Sequence, residues 1–425
     1  MARVGNHNQM DQVVLLELVH GSCTFCSSFL LKPEDSLKSR VFLLSENTSS
    51  EVVGAHALEG VNVTERMVAF KKRIDELGAT RVTVHTSVRG RALLTQQQRL
   101  LFTSLYSFDY RLCNVTCPCC SDVANTVSPD EVEEEVKTYL QSLPPLRGGI
   151  RLLTSSLIPD AFGHGFSTRC GGISYIPTLS SLNLFCSSKR RDPIAMVMEN
   201  RRRLAVAGGF HPKLLRLVKV NHANDVWVLN KPEPECYDAM VTNQRGVVLA
   251  APGADCMPIL FADLEKKVIG VAHAGWKGTL MGVAMATVDA MISEYGCCAS
   301  DILVAVGPSV GACCFTLDQQ EALDFINIHP DCVPDPGSTR PHVNIRLANR
   351  LLLQEGGILP EHIHDDTSTG RPCVTLCTSC HPQLFFSHVR DGMNFGTQIG
   401  FLWIKEMGEM ETTRPAEERE KQKRH

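Results

Sequence analysis

The sequence predicts an α/β protein: a mixed sheet with flanking helices as the larger, C-terminal domain, preceded by a smaller α/β domain. Three observations predict it. A length of 425 residues exceeds what a single hydrophobic core ordinarily serves. Short apolar runs alternate with helical segments along most of the chain, which is the pattern of a sheet covered by helices. Around Leu146 to Gly149 the texture changes, because Pro144-Pro145 stops one helix and longer apolar runs begin at Ile150.

The elements follow in order. In the domain expected over residues 1–145, Val13 to Leu18 and Val41 to Ser45 are short, mostly apolar runs. Val63-Thr64-Glu65 opens an amphipathic helix that continues to Leu77 and ends at Gly78, and Val82-Thr83-Val84 reads as a strand. Ser128-Pro129-Asp130 starts an acidic helix with Val132, Val136, Tyr139 and Leu140 on one face. In the domain expected over 150–404, helices are predicted over 192–207, 279–295 and 344–354. Residues 406–425 are Glu-, Lys- and Arg-rich without apolar period and are expected to form a disordered tail.

Composition excludes several classes. Hydrophobic residues make up 44% and charged residues 21%, as in a soluble globular protein, and a formal charge of -4 supplies no general reason to bind nucleic acid. No apolar run reaches the ~18 residues needed to span a bilayer. The opening residues lack the basic and apolar regions of a secretory signal, so the 18 cysteines are expected to be reduced in the cytoplasm, with the sequons at Asn47, Asn62 and Asn114 unused. The final Lys-Gln-Lys-Arg-His is no peroxisomal address, so association with peroxisomes or other organelles would depend on a partner.

Chemistry concentrates between Ala251 and Gly278. Two apolar runs end in Ala254-Asp255-Cys256 and in Ala272-His273-Ala274-Gly275-Trp276, and each sets a soft metal ligand among small residues. Lys219-Val220-Asn221-His222 adds a second histidine upstream. His222, Cys256 and His273 together would complete the three-ligand set of a catalytic zinc with one open position, although spacings of 34 and 17 residues match no short metal motif. Asp255 is the candidate general base, with a turn carboxylate as its plainer reading. Cys23/Cys26 and Cys117/Cys120 have the two-residue gap of a structural zinc site, but about 90 residues separate the pairs. Cys373, Cys377, Cys380 and His381 form another group able to bind metal.

A series of motifs then stands in a telling order: HGFSTR at 164–169 with GGIS at 171–174, LNL at 182–184, ENRR at 199–202, VNH at 220–222, ADCMP at 254–258, AHAGWKG at 272–278, GP at 307–308 with GACC at 311–314, and FFS at 385–387 with RDG at 390–392. Over 150–404 the chain resembles the multicopper polyphenol oxidoreductase laccase family. The resemblance implies one α/β domain with a zinc site at His222, Cys256 and His273. It also implies purine nucleoside phosphorylase, adenosine deaminase and methylthioadenosine phosphorylase activities, with inorganic phosphate as co-substrate. Arg169, Lys277 and Arg390, with the amides around Gly307, are the candidate anion-binding groups. Asp255 is the candidate proton carrier. His164, Asn183, Trp276 and Gly307 are candidate substrate-binding positions, and Trp276 can either stack on a purine or fill the core.

Four-electron oxidation by several coppers demands many histidines, and only His362-Ile363-His364 has the His-x-His form, so that activity is rejected as the main one. Two other classes stay open: a single-copper redox enzyme at the same ligands, and a metabolic scaffold whose N-terminal domain recruits protein partners.

Overall fold

The strands of the larger part of the chain are apolar on both faces, and that property decides how its layers stack. The computed structural model describes residues 12–18, 40–45, 55–112 and 128–406; the cysteines at 23, 26, 117 and 120, the sequons at 47 and 114 and the tail from 407 lie outside the described residues. What is described divides into two compact units, one running to Pro144 and taking in Cys186–Glu199, the other formed by Pro145–Phe185 and the chain from Asn200.

In the smaller unit β1 (Gln12–Leu18), β2 (Val41–Ser45), β3 (His56–Ala57), β4 (Arg81–Thr86) and β5 (Ser107–Leu112) pair in the order β3-β2-β1-β4-β5, all in parallel. Parallel neighbours need crossover connections. Helices α1 (Val63–Glu76) and α2 (Val88–Leu101) lie on two of them, and α3 (Pro129–Ser142) follows. The Asn62 side chain accepts from the Glu65 amide at 2.9 Å and so caps α1. Helix α2 has no counterpart among the sequence expectations, because its polar Thr95-Gln96-Gln97-Gln98 stretch blurs the apolar period. The buried Lys71 ammonium lies 2.7 Å from Asp75, whose other oxygen takes Arg191 at 2.8 Å, so these charges are paired as burial demands.

The larger unit contains two mixed sheets. The first has the order β15-β14-β12-β13-β10-β9, from β9 (Val226–Val228), β10 (Ala239–Thr242), β12 (Met257–Asp263), β13 (Val268–Ala274), β14 (Ile302–Val306) and β15 (Ile363–His364). The second has the order β6-β7-β16-β11-β8, from β6 (Leu152–Leu153), β7 (Phe162–Ser167), β8 (Leu215–Leu217), β11 (Val248–Gly253) and β16 (Gln398–Ile404).

Side-chain alternation allots each strand to two cores. On β12, Leu260 and Ala262 join Leu249, Ala251 and Leu402 of the other sheet, while Ile259 and Phe261 face the opposite way with Val288, Phe325 and Ala348. These last residues belong to α6 (Val283–Tyr295), α7 (Gln319–Ile328) and α8 (Ile345–Glu355). On β11 and β16, Val248, Ala250, Phe401 and Trp403 pack outward with Leu204 of α4 (Ile194–Gly208). Two-sided burial explains why these strands read as near-continuous apolar runs.

One expected helix is divided. The segment expected over 279–295 is α5 (Trp276–Leu280) followed by α6, since Gly282 takes φ 77° and ends the first helical turn sequence. The other two expected helices of this unit coincide with α4 and α8 to within two residues at each end.

Where the sheets meet, small residues set the spacing. A Cβ on Gly400 would lie 2.8 Å from both Phe166 Cδ1 and Pro258 Cβ, so even one methyl group has no room. Gly400→Ala should therefore lower unfolding stability by about 1–3 kcal/mol, read from the denaturant midpoint. Gly337→Ala, with open space around its Cβ, should leave that midpoint unchanged.

Candidate functional site

His222, Cys256 and His273 come from three separate segments of the larger unit, and their donor atoms all lie within 4.8 Å of one another. Strand pairing brings Cys256 and His273 together. Antiparallel β12 and β13 place Pro258 opposite His273, so Cys256, two residues before Pro258, falls beside the end of β13. His222 arrives from the loop between β8 and β9, and its ring meets that of His273 edge-on at 5.1 Å between centroids.

Two residues at this convergence hold left-handed backbone without being glycine: His222 at φ 62° and Asp255 at φ 100°. Such conformations persist where surrounding contacts over-determine them. For the His222 loop the contact is Asp238, which receives the amides of Asn221, His222 and Ala223 at 3.2, 3.2 and 2.9 Å. The same carboxylate, with no solvent exposure, binds His273 Nδ1 at 2.8 Å. That bond fixes the tautomer of His273 and leaves Nε2 for a ligand. For Asp255, Thr378 Oγ1 and the Val389 amide each donate to one carboxylate oxygen at 2.6 Å, and the Val310 amide donates to its carbonyl at 3.0 Å.

Gly275 supplies the remaining space. A Cβ there would lie 2.9 Å from Cys256 Sγ and 3.6 Å from His222 Cδ2, so the thiolate and imidazole close over a position that any side chain would obstruct.

The electrostatics suit a cation. Burial alone would raise the Cys256 thiol, but the charge of His273 and hydrogen bonds from His222 and His273 outweigh it and bring the thiol down to about 6. Burial would lower His273, yet Cys256 and Asp238 raise it to about 9. Asp238 is likewise pushed up by burial, and its bonds from His273, Ala223 and Asn221 hold it below the ordinary carboxylate range. A metal ion replaces the proton shared by such a thiolate and imidazole. One sulfur and two nitrogen donors fit a single ion with a position left for water or substrate.

The other expected site residues fall elsewhere or take other partners. Both arginines expected to bind anions already have protein partners. The buried Arg169 guanidinium donates to the carbonyls of Ser180, Pro382 and Pro177 at 2.6–2.8 Å and lies over the Phe386 ring. Arg390 donates to Asp391 and to the carbonyls of Thr378 and Phe385 at 2.7–2.9 Å. Both guanidinium groups tie loops together by satisfying carbonyls that lie outside the strand ladders. Asn183 is buried and accepts from the Phe185 and Thr397 amides, and His164 Nε2 bonds the backbone of Ser155. Gly307 is a packing position, where a Cβ would meet the Phe166 ring at 2.4 Å. Trp276 is half-buried against the outer core, and the exposed Lys277 ammonium sits 5.2 Å from its ring.

Asp255 keeps its place next to Cys256, with burial pushing its carboxyl up against the hydrogen bonds from Thr378, Val389 and Ser387. Asp238 is the functional residue that sequence reasoning missed. It stands as one acidic residue before an apolar run, and no motif or spacing marks it.

In metal-stripped protein the Cys256 thiolate is present above about pH 6 and is lost as the pH falls through that value, whereas an ordinary thiol loses it near ~8.5. Peptide-mapped iodoacetamide labelling of Cys256 should thus remain fast near neutrality and fade in mild acid. A midpoint close to ~8.5 would contradict the thiolate–imidazolium pair. Asp238→Asn, which removes the charge supporting His273, should move the midpoint upward.

A family model described as "Multi-copper polyphenol oxidoreductase laccase" matches residues 163–405. The chain is 48% identical over 392 residues, 90% of each chain, to "Purine nucleoside phosphorylase LACC1" of Homo sapiens. It is 29% identical, over 257 residues covering 57% of this chain and 94% of the relative, to "Adenosine deaminase RL5" of an unknown prokaryotic organism. The crystal structure of YlmD from Geobacillus stearothermophilus superposes with a TM-score of 0.54 at 29% identity, covering 61% of this chain and 97% of that one. The match spans more than half of the chain and takes in all three converging residues, and the chain belongs to the multi-copper polyphenol oxidoreductase laccase family.

Proposed function

We propose that the chain is a zinc-dependent purine nucleoside enzyme. It cleaves adenosine, inosine, guanosine and methylthioadenosine with inorganic phosphate to free base and (methylthio)ribose 1-phosphate, and it deaminates adenosine to inosine. The observation that carries this reading is the convergence of His222, Cys256 and His273 with Asp238 orienting one of them. The names of two relatives, a phosphorylase and a deaminase, support the reaction class.

Zinc bound by these three residues would supply a Lewis acid and an activated water. The chain's own groups do the remaining work. Asp238 keeps His273 Nε2 directed at the site, and Gly275 leaves it open. Asp255, next to Cys256 and with its proton affinity raised by burial, is the group to take or return a proton. Lys277, exposed two residues beyond Gly275, is the cation for phosphate, and the neighbouring Trp276 ring offers a face for a purine.

The family's title suggests oxidation, but a multicopper centre needs several histidine-rich ligand sets. Among the described residues, one converging set contains histidine, and it has two. His364 instead bonds Ser155 Oγ at 2.7 Å.

Purified protein incubated with each nucleoside, with and without phosphate, should yield the stated products, and Cys256→Ala or His273→Ala should abolish them. Unchanged turnover in either variant sinks the assignment, and stoichiometric copper in place of zinc would favour the redox alternative. Asp238→Asn should lower kcat/KM by about 10–100-fold. Lys277→Ala should raise KM for phosphate by about tenfold, the worth of one charge-assisted hydrogen bond, with adenosine deamination unaffected. Equal loss in both reactions would instead give Lys277 a structural part.

A further inference from the structure

Besides the histidine-containing site, the thiols of Cys313, Cys314, Cys377 and Cys380 also lie within 4.8 Å of one another. We infer that these four cysteines form a second, structural zinc site, which fixes the turn that supports Asp255.

Backbone pairing creates the cluster. The loop after β14 and the segment after Val374 run side by side, with Ser309 bridged in parallel to Cys377 and the Thr378 amide donating to the Ser309 carbonyl at 3.0 Å. That register sets the adjacent pair Cys313-Cys314 against the Cys-x-x-Cys pair Cys377 and Cys380, whose two-residue gap lets both thiolates reach one ion.

The sulfur spacing matches a tetrahedral site. With Zn–S bonds of ~2.3 Å, neighbouring sulfurs of a tetrahedron stand about 3.8 Å apart. Cys380 Sγ lies 3.6 Å from Cys313 Sγ and 3.4 Å from Cys314 Sγ. A disulfide would need ~2.05 Å, and one bond would leave two thiols of the cluster without a role.

The surroundings are those of a bound thiolate. The Gly311 amide points at Cys377 Sγ at 3.3 Å, as amides do around metal-bound sulfur. Arg390 Nη1 donates to the carbonyls of Thr378 and Ser379 inside the Cys-x-x-Cys turn at 2.9 and 3.5 Å, which brings positive charge to a centre whose four thiol protons leave when Zn²⁺ binds. Thr378, between the ligands, is also the residue whose hydroxyl binds Asp255. Holding this turn thus holds the carboxylate beside Cys256. Four thiolates in tetrahedral array select zinc over the harder divalent ions.

The test uses full-length protein loaded with Zn²⁺ and, in parallel, stripped with chelator, each treated with N-ethylmaleimide and peptide-mapped. Cys313 and Cys380 are exposed, as are Cys298 and Cys373 outside the cluster. In the loaded form Cys298 and Cys373 should label while Cys313 and Cys380 label about tenfold or more slowly, because a metal-bound thiolate is no longer free to react. Equal labelling of all four overturns the site, as does recovery of cluster cysteines as a disulfide. A second measurement separates this centre from the first. Zinc content in Cys256→Ala protein should fall by one further equivalent when Cys313→Ser and Cys380→Ser are added, and an unchanged content overturns the proposal.

Discussion

The Asp238 carboxylate is the constraint on which the site depends. It is fully buried and answers four donors at once, the three successive amides of the His222 loop and the Nδ1 of His273. Removing a group that satisfies several buried donors costs more than any one bond is worth, since each orphaned donor carries its own desolvation penalty. The same residue's backbone is engaged as well, with its carbonyl accepting from the His273 amide at 2.7 Å and its amide donating to Asp225 at 3.0 Å. A single position therefore sets both the loop that carries one ligand and the ring orientation of another.

The two-sheet core makes this placement rigid. Strands buried on both faces cannot shift register by one residue without moving every side chain into the other core. Pro258 therefore stays opposite His273, and Cys256 stays at the end of β13. Glycines at contact points carry the same constraint into the site. Gly400 lets the sheets close on Phe166, and Gly275 lets two ligands close on each other.

Arginines show how much of a side chain's use lies in its protein partners. Arg169 and Arg390 stand in recognisable blocks and carry the right charge for an anion, yet their donors go to loop carbonyls and, for Arg390, to Asp391. Irregular segments that cross a buried surface leave carbonyls without ladder partners, and a planar five-donor group satisfies several of them together. Asp255 has a related double character. Its hydrogen bonds fasten the segments bearing Thr378 and Val389, while burial leaves it a carboxyl with raised proton affinity.

Much of the fold was legible in the residues themselves. Apolar runs, caps and breakers located the helices α1, α3, α4, α6 and α8 and the strands β1, β2, β4, β11 and β13, because capping and periodicity act over three or four neighbouring positions. Helix α2 escaped because its polar stretch weakens that local signal, and the division at Gly282 because one left-handed glycine inside a good helical pattern leaves the period intact. The three converging residues His222, Cys256 and His273 were legible too, as soft donors next to small residues in blocks resembling a known family. Only the tertiary structure decided which donors meet and which partners claim the rest. Asp238 has no local signature, since its role is defined by amides at 221–223 and a ring at 273. The four-cysteine cluster likewise joins positions more than 60 residues apart. Contacts of that range depend on strand order and register, which no local stretch of sequence encodes.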